Sequence, residues 1–447
     1  MHTILQPFHS HRPSAPSYRS AWVLVAWLAT TAQLVHAQDL PRVEPELVGM
    51  SAERLARIDT AMQRYVDRRE VAGVVTLVAR RGRVVHMSAI GHRDAEAAST
   101  MTTDAIFRIA SMTKPITSVA AMMLFEEGHF LLSDPIAKWL PEFKDVKVAE
   151  FTAGVERTPT PQKLVPADGP ITIRHLLTHT AGLANEYRGA NQKEYLDKTR
   201  GAMTPTTTLG DTVRGMAELP LNHQPGAEWQ YGRATDVVGR LVEVISGRSL
   251  DEFFRERICG PLAMNDTHFY LPESKLDRFT AVYAPDEQGR IQLSEAPNAE
   301  SRFVKEPHIY FMAAGGLVST AADYWRFSQM LLNGGELDGV RLLGRKTVEL
   351  MTTNHIGELP VWLVGPGFGF GLGFAVVRDV GATAQPWSVG TYTWGGVFCT
   401  YFWIDPQEEL IGILMAQVRP YAHLNIRQEL VVLANQAIVD QRATLSP

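Results

Sequence analysis

The apolar residues of this chain change their spacing along its length, and each change predicts a different kind of element. From Ser51 to Arg69 they fall at Leu55, Ile58, Met62 and Tyr65, the three-and-four spacing of a helix with one buried face. "GVVTLVAR" and "RVVHMSAIG" follow, two β-branched runs on either side of Arg81-Gly82, which predict a β-hairpin. Towards the other end, "YTWGGV", "FCTYFWIDP" and "ELIGILMAQ" predict three more strands, and Leu424 to Val439 a closing helix. Between Ser111 and about Phe327 the pattern is mainly helical and broken by Pro and Gly loops, with Val148 to Pro170 expected as a long surface loop. The expected fold class is therefore α/β (α+β): an antiparallel sheet built from both chain ends, about 45–110 and 330–440, flanked by helices. Residues of about 111–329 form an inserted all-α region within a single catalytic domain of 38–447. A site would lie in the cleft between the two parts.

Composition narrows the partners. A formal charge of −5 over 447 residues leaves no footprint for a polyanion, so no nucleic-acid partner is expected. Eight arginines stand between Arg54 and Arg83, but Glu53, Asp59, Asp67 and Glu70 are interleaved with them, which fits a solvated helix face and a hairpin tip better than a phosphate track. The first acid is Asp39. Before it come Arg12, Arg19, the apolar stretch "AWVLVAWLATTAQL" and "VHA", the order of a secretory signal over residues 1–37 cleaved after Ala37. Export to the periplasm or medium is the expectation, with an uncleaved anchor or an organelle transit peptide as alternatives. The apolar stretch is short for a membrane span, so none is expected in the mature form. Cys259 and Cys399 are 140 positions apart, show no metal spacing and read as buried small hydrophobes.

The candidate chemistry begins at "FRIASMTKPIT". Ser111 and Lys114 form the one Ser-x-x-Lys of the chain, and Ile116, Val119, Ala120, Met123 and Leu124 continue at helical spacing. With Pro115 in its first turn, a helix starts at or just after Ser111, so serine and lysine share one face at its mouth. The helix N-terminus adds positive potential where an acyl oxyanion would form. Serine needs a base, and lysine serves only when its surroundings make it give up its proton readily, often with a second group sharing the task. "PGAEWQYGRATDVVGRL" offers Tyr231 for that, in a loop before another helix.

"IASMTKPIT", "ITIRHLLTHTAGL", "PGAEWQYGRATDVVGRLVEVISGRSLDEF", "AAGGLVSTAADYWRF", "GFGLGFAV" and "WGGVFCTYFWIDP" occur in that order. Together they resemble the serine β-lactamase and penicillin-binding-protein superfamily, most closely the family VIII carboxylesterases, over about residues 45–435. The resemblance implies a β-lactamase/transpeptidase-like fold, Ser111 as nucleophile, Lys114 as its base partner and Tyr231 as shared acid/base. It also implies an oxyanion hole from the backbone N–H groups of Ser111 and Val397, with Gly395 and Gly396 letting that strand approach the substrate. No cofactor and no metal are implied. Where the lactamases have Lys-Thr-Gly this chain has Trp394-Gly395-Gly396, and where they have Tyr-x-Asn it has Tyr231-Gly232-Arg233. Losing both polar anchors points away from β-lactams and towards small-molecule esters, with Trp394 as an apolar wall and Arg233 as a cation near the substrate. The expected activity is that of a carboxylesterase on small or short-chain acyl esters. A β-lactamase or D,D-peptidase is the alternative within enzymes, and a non-catalytic sensor the alternative outside them.

Other motifs have plainer readings. His175 and His179 are four apart without a carboxylate at ligand spacing, so both are expected to be structural. His308 and His355 would suit a Ser/His/Asp hydrolase, but no Gly-x-Ser-x-Gly is present. "GPGFGFGLGF" lacks the phosphate-loop spacing and reads as a flexible lead into a strand.

Overall fold

A computed structural model describes residues 40–150, 163–185, 192–201, 204, 206–305 and 307–440. The expected leader, 1–37, and the tip of the expected loop, 151–162, lie outside the described residues.

Helix α1 (Ala52–Asp67) begins at Ser51, whose side chain accepts from the Arg54 N–H and so satisfies one of the helix's unpaired donors. Strands β1 (Gly73–Arg80), β2 (Arg83–Asp94) and β3 (Ser99–Thr100) follow. The middle of the chain supplies helices α2 (Thr113–Glu126), α3 (Ala234–Ser246) and α4 (Ala321–Leu332). The chain then returns to the sheet as β4 (Phe368–Phe370), β5 (Ala375–Val377), β6 (Tyr392–Gly395), β7 (Tyr401–Asp405) and β8 (Leu410–Ala416), before helix α5 (Ile426–Asn435). The strands lie in the order β4-β5-β6-β7-β8-β1-β2-β3. Every neighbouring pair is antiparallel, and the two chain ends meet where Val74 faces Ala416 and Arg80 faces Leu410.

Alternation along β1 divides the core. Val74 and Val78 join Leu55, Ile58 and Met62 of α1 and Leu430 and Ala434 of α5 in one cluster. Val75 and Leu77 belong to the other, with Ile116 of α2, Val237 of α3 and Tyr324 of α4. β1 is therefore buried on both faces, which is why its sequence is an uninterrupted apolar run. α2 lies within the second cluster and is buried from Thr113 to Leu124. A serine at its mouth is thereby anchored to a helix packed in the core.

Part of the basic stretch is paired with acids from the far end of the chain. Arg64 pairs with Glu429 of α5, and buried Arg80 donates to Glu408 (2.9 Å) and Asp440 (2.6 Å). Two expectations change. The inserted region is not all helical: Lys147–Glu150 pairs with Lys163–Pro166 inside the expected loop, and Val282–Pro285 with Ile291–Glu295. Each of these strands is only four or five residues long, too short to leave a strong periodic signal. Within "GPGFGFGLGF", Phe368–Phe370 is itself an edge strand, paired to β5. Cys259 and Cys399 are both free and buried, as expected. No helix among the described residues is long and apolar enough to cross a membrane.

Candidate active site

Ser111 sits in a single 3-10 turn, Ala110–Met112, that runs directly into α2. Ala110 before it has φ +44°, a left-handed conformation that costs a non-glycine residue of order 1–3 kcal/mol and is tolerated where surrounding packing enforces it. Lys114, in the first turn of α2, is buried. Its Nζ donates to Ser111 Oγ (3.1 Å) and to the carbonyl of Ala314 (2.7 Å). The Tyr231 hydroxyl lies 2.7 Å from the same Oγ, and the lysine nitrogen stands 4.7 Å from the Tyr231 ring centre. The three residues expected to act together are thus in mutual contact.

The segment from Ala313 to Leu317 is stitched to α2 over two turns. Thr117 donates to the Ala313 carbonyl (2.8 Å), Lys114 to that of Ala314, and Leu317 donates its N–H to the Thr113 hydroxyl (3.2 Å). Tyr231 is enclosed by Trp394 at 5.2 Å, His179 at 5.1 Å and Trp229 stacked at 6.1 Å. Burial, with a smaller contribution from the Lys114 cation, holds His179 down to about 3, so its ring is neutral and packs as an aromatic.

Of the expected lining residues Trp394 and Arg233, the first is placed differently and the second lines the cavity as a paired rather than a free cation. Trp394 is buried behind Tyr231 and against Phe370 (5.4 Å), and is not part of the cavity surface; the apolar wall is made instead by Phe269, Phe303, Tyr310, Met312 and Phe398. A residue's strand parity fixes its side, and here the tryptophan falls on the core side. Arg233 does line the cavity, yet it is no free cation: its Nε donates to Asp236 Oδ2 (2.5 Å) and its Nη2 to the Tyr310 hydroxyl. Burial by itself would lower the guanidinium's pKa, but Asp236 and Tyr310 outweigh it and hold the charge firmly. Asp236 Oδ1 in turn accepts from the Ala314 N–H (2.8 Å), so Arg233 supports the segment whose carbonyl holds Lys114.

Gly395 and Gly396 are also absent from the cavity surface, whereas Val397 lines it. A Cβ on Gly396 would stand 2.3 Å from the Ile109 carbonyl, and one on Gly395 2.8 Å from Arg427 Nη1. The close approach they allow is to protein on either side of the loop rather than to substrate. Sequence reasoning missed Asp236, the Ala314 carbonyl and Arg427; only Asp236, one helical turn after Arg233, carried a local signal.

The histidines are accounted for. His175 completes a capping box with Thr172 at the start of the short helix Ile173–Leu177. His308 stacks on Tyr270 at 4.4 Å and His355 is bonded to the Leu350 carbonyl, and neither lines the cavity that holds Ser111. Among the described residues no group of three or more His, Cys, Asp and Glu is placed to hold a metal. The cavity above Ser111 measures about 650 Å³.

A serine at a helix mouth, bonded to a lysine and a tyrosine between an antiparallel sheet and a helical layer, defines a β-lactamase-fold protein of the hydrolase and acyltransferase group. The chain belongs to the Beta-lactamase family, whose model matches residues 58–436. It is 36% identical over 391 residues to Protein Rv1367c of Mycobacterium tuberculosis, covering 83% of this chain and 92% of that one. It is 30% identical over 379 residues to Esterase EstB of Burkholderia gladioli, covering 81% of this chain and 90% of the esterase. Among solved structures it is similar to EstCE1, described as a hydrolase with promiscuous acyltransferase activity, with a TM-score of 0.72, 28% identity, and coverage of 87% of this chain and 99% of that one.

Proposed function

We propose that the protein is a carboxylesterase that forms an acyl-enzyme on Ser111. The observation that carries this reading is the position of Ser111 Oγ within hydrogen-bonding distance of both Lys114 Nζ and Tyr231 OH at the foot of the cavity. Ser111 Oγ attacks the ester carbonyl as its proton passes to the Lys114/Tyr231 pair, and the tetrahedral oxyanion is taken by the N–H groups of Ser111 and Val397. The same pair returns the proton to the departing alcohol. A water then gives a proton to the pair and attacks the acyl carbon, releasing the acid and restoring Ser111. No step calls for a metal or cofactor.

The absence of a lysine at the Trp394 position and the pairing of Arg233 with Asp236 both favour neutral esters over β-lactams. A cavity of about 650 Å³ is in the range that takes drug-sized ligands, so a short acyl group leaves room for a larger alcohol. That room, and the named activity of EstCE1, support acyl transfer to an alcohol as a second reading.

The test compares wild type and Ser111→Ala on a short-chain p-nitrophenyl ester and a chromogenic cephalosporin. Ester turnover should fall by roughly 10⁴-fold or more in the variant, with little cephalosporin cleavage by either. Cephalosporin cleavage as fast as the ester's would move the reading to a β-lactamase. Failure of a fluorophosphonate to label Ser111 would return it to a non-catalytic sensor. Added alcohol that diverts product from acid to new ester, without slowing release of p-nitrophenol, would identify transfer.

A further inference from the structure

We propose that Arg427 is a positioning residue for the oxyanion site: by gripping the carbonyl of Gly396 it aims the N–H of Val397 into the cavity. The proposal rests on the reading of Val397 given above. β6 and β7 are joined by the loop Gly396–Thr400. The Gly396 carbonyl accepts from the Cys399 N–H (3.1 Å) and from Arg427 Nη2 (2.5 Å). The Thr400 carbonyl accepts from the Gly396 N–H (2.8 Å) and from the same Nη2 (2.7 Å). One nitrogen of a side chain from α5 therefore clamps both ends of the loop.

The Gly396 carbonyl and the Val397 N–H belong to one peptide unit. That unit is planar and trans, so the two groups point in opposite directions, and fixing one fixes the other. Turned over, the same peptide would present an oxygen where an anion has to sit. The guanidinium also polarises the carbonyl it holds, which makes the N–H at the far end of the unit a better donor.

Three features show that the loop is held rather than relaxed. Cys399 has φ +74°, a left-handed conformation uncommon outside glycine. Gly395 leaves space for the guanidinium where a Cβ would come within 2.8 Å of Nη1, and Gly396 leaves space for the Ile109 carbonyl. The Thr400 hydroxyl, from the loop's last residue, donates to that same Ile109 carbonyl (3.2 Å). The Ile109 carbonyl, two residues before the nucleophile, and the arginine thus both bear on the loop. Arg427 itself is ordered by Tyr421, whose ring centre is 4.0 Å from the guanidinium carbon and whose hydroxyl accepts from Nη1, and by Tyr401 at 5.3 Å. Among the described residues it has no carboxylate partner. Its hydrogen bonds go instead to the Tyr421 hydroxyl, the carbonyls of the loop and the Cys399 thiol.

The test uses Arg427→Met, Arg427→Lys and Gly395→Ala in the full chain. Two quantities are read: steady-state ester kinetics, and the rate at which a fluorophosphonate labels Ser111, since labelling needs the same oxyanion donors without needing an ester substrate. Arg427→Met should lower kcat by about 10–100-fold with KM within threefold, and slow labelling by the same factor. Arg427→Lys should recover at least a third of the lost rate, because an ammonium reaches the same carbonyls without the fork. Gly395→Ala keeps the arginine and displaces it, so it should reproduce the loss even if Arg427→Met fails to fold. A purely structural arginine would lower the melting temperature and leave both rates per folded site within twofold of wild type, which overturns the proposal. An ester left untouched by wild type, with labelling still slowed in Arg427→Met, would remove the esterase reading and leave this inference standing.

Discussion

Ser111 stands between two arginines in opposite electrical circumstances. On the helical side, Arg233 is buried and neutralised by Asp236, and the pair acts through the Ala314 backbone on Lys114. On the sheet side, Arg427 is half-buried, faces no carboxylate among the described residues, and acts through the Gly396 carbonyl. The difference follows from what each side has to do. A fixed extra charge beside the proton-handling pair would bias which of Lys114 and Tyr231 holds the proton, so the helical side is kept balanced, with His179 neutral as well. On the side proposed to hold the oxyanion, negative charge would build up during the reaction, and an uncancelled cation behind the donor peptide would favour that state over the ground state.

The largest effect that would sharpen this contrast comes from Asp236→Asn. It strands a fully buried guanidinium, and breaking such a pair costs about 3–5 kcal/mol of stability. Denaturant unfolding should show that loss, and Arg233→Leu combined with Asp236→Asn should recover most of it. Arg427→Met has no stranded partner and should cost far less stability while costing more rate. Equal destabilisation by the two single variants would erase the distinction between a balanced and an unbalanced side.

A second, intermediate effect uses pH. The folded-state pKa of His179 is near 3, against 6.5 for the free side chain. Between those values the unfolded chain takes up a proton that the folded chain refuses, so this group's contribution to stability is full above about pH 6.5 and declines as pH falls. From pH 7 to pH 5 the decline is about 2 kcal/mol. On the sheet side, Tyr401, Tyr421 and Cys399 have their ionisations pushed upward by burial, Cys399 to about 11, so none of them titrates in that interval. The gap between denaturant midpoints at pH 7 and 5 should therefore narrow in His179→Asn, a replacement that tolerates the left-handed backbone at φ +57°, while the other histidines lowered by burial, His268 to about 4 among them, keep part of it. Amide exchange at pH 5 should rise around Ile173–Leu177 and α3 before it rises in β6 and β7. Uniform loosening of both sides would break the contrast.

Sequence carried the two sides unequally. Ser111 and Lys114 are three apart at a helix mouth, and Tyr231 precedes a helix with strong periodicity, so local rules found the three side chains that the structure brings together. The arrangement of β1 and β8 at the sheet centre was legible from two apolar runs at opposite ends of the chain. What holds the site was not. Arg233 reads as an exposed cation until Tyr310, 77 positions away, and the Ala314 segment close over it. Arg427 reaches the Gly396 carbonyl across 31 positions from a helix whose own pattern only asks to cover the sheet. Neither spacing has a period, because both contacts are made by tertiary packing. Trp394 failed for a smaller reason: alternation says that neighbours in a strand face opposite ways, but not which way is the cavity.

That last residue gives the smallest predicted effect. Trp394 packs its ring edge-on to Phe370 and tilted against Tyr231, and its indole N–H is buried without a hydrogen-bond partner. In Trp394→Phe the lost ring contacts and the relief of that unpaired donor oppose one another, so stability should change by about 1 kcal/mol or less. Tyr231 keeps its other neighbours, His179 and Trp229, and kcat/KM should stay within about threefold. More tellingly, the ranking of p-nitrophenyl esters by acyl length should not move, because the substituted atoms do not touch the cavity. Met312→Ala and Phe398→Ala, which do line it, should shift that ranking towards longer chains. A ranking that shifts with Trp394→Phe and not with Met312→Ala or Phe398→Ala would return the tryptophan to the cavity wall. The sheet side would then set substrate choice as well as hold the oxyanion.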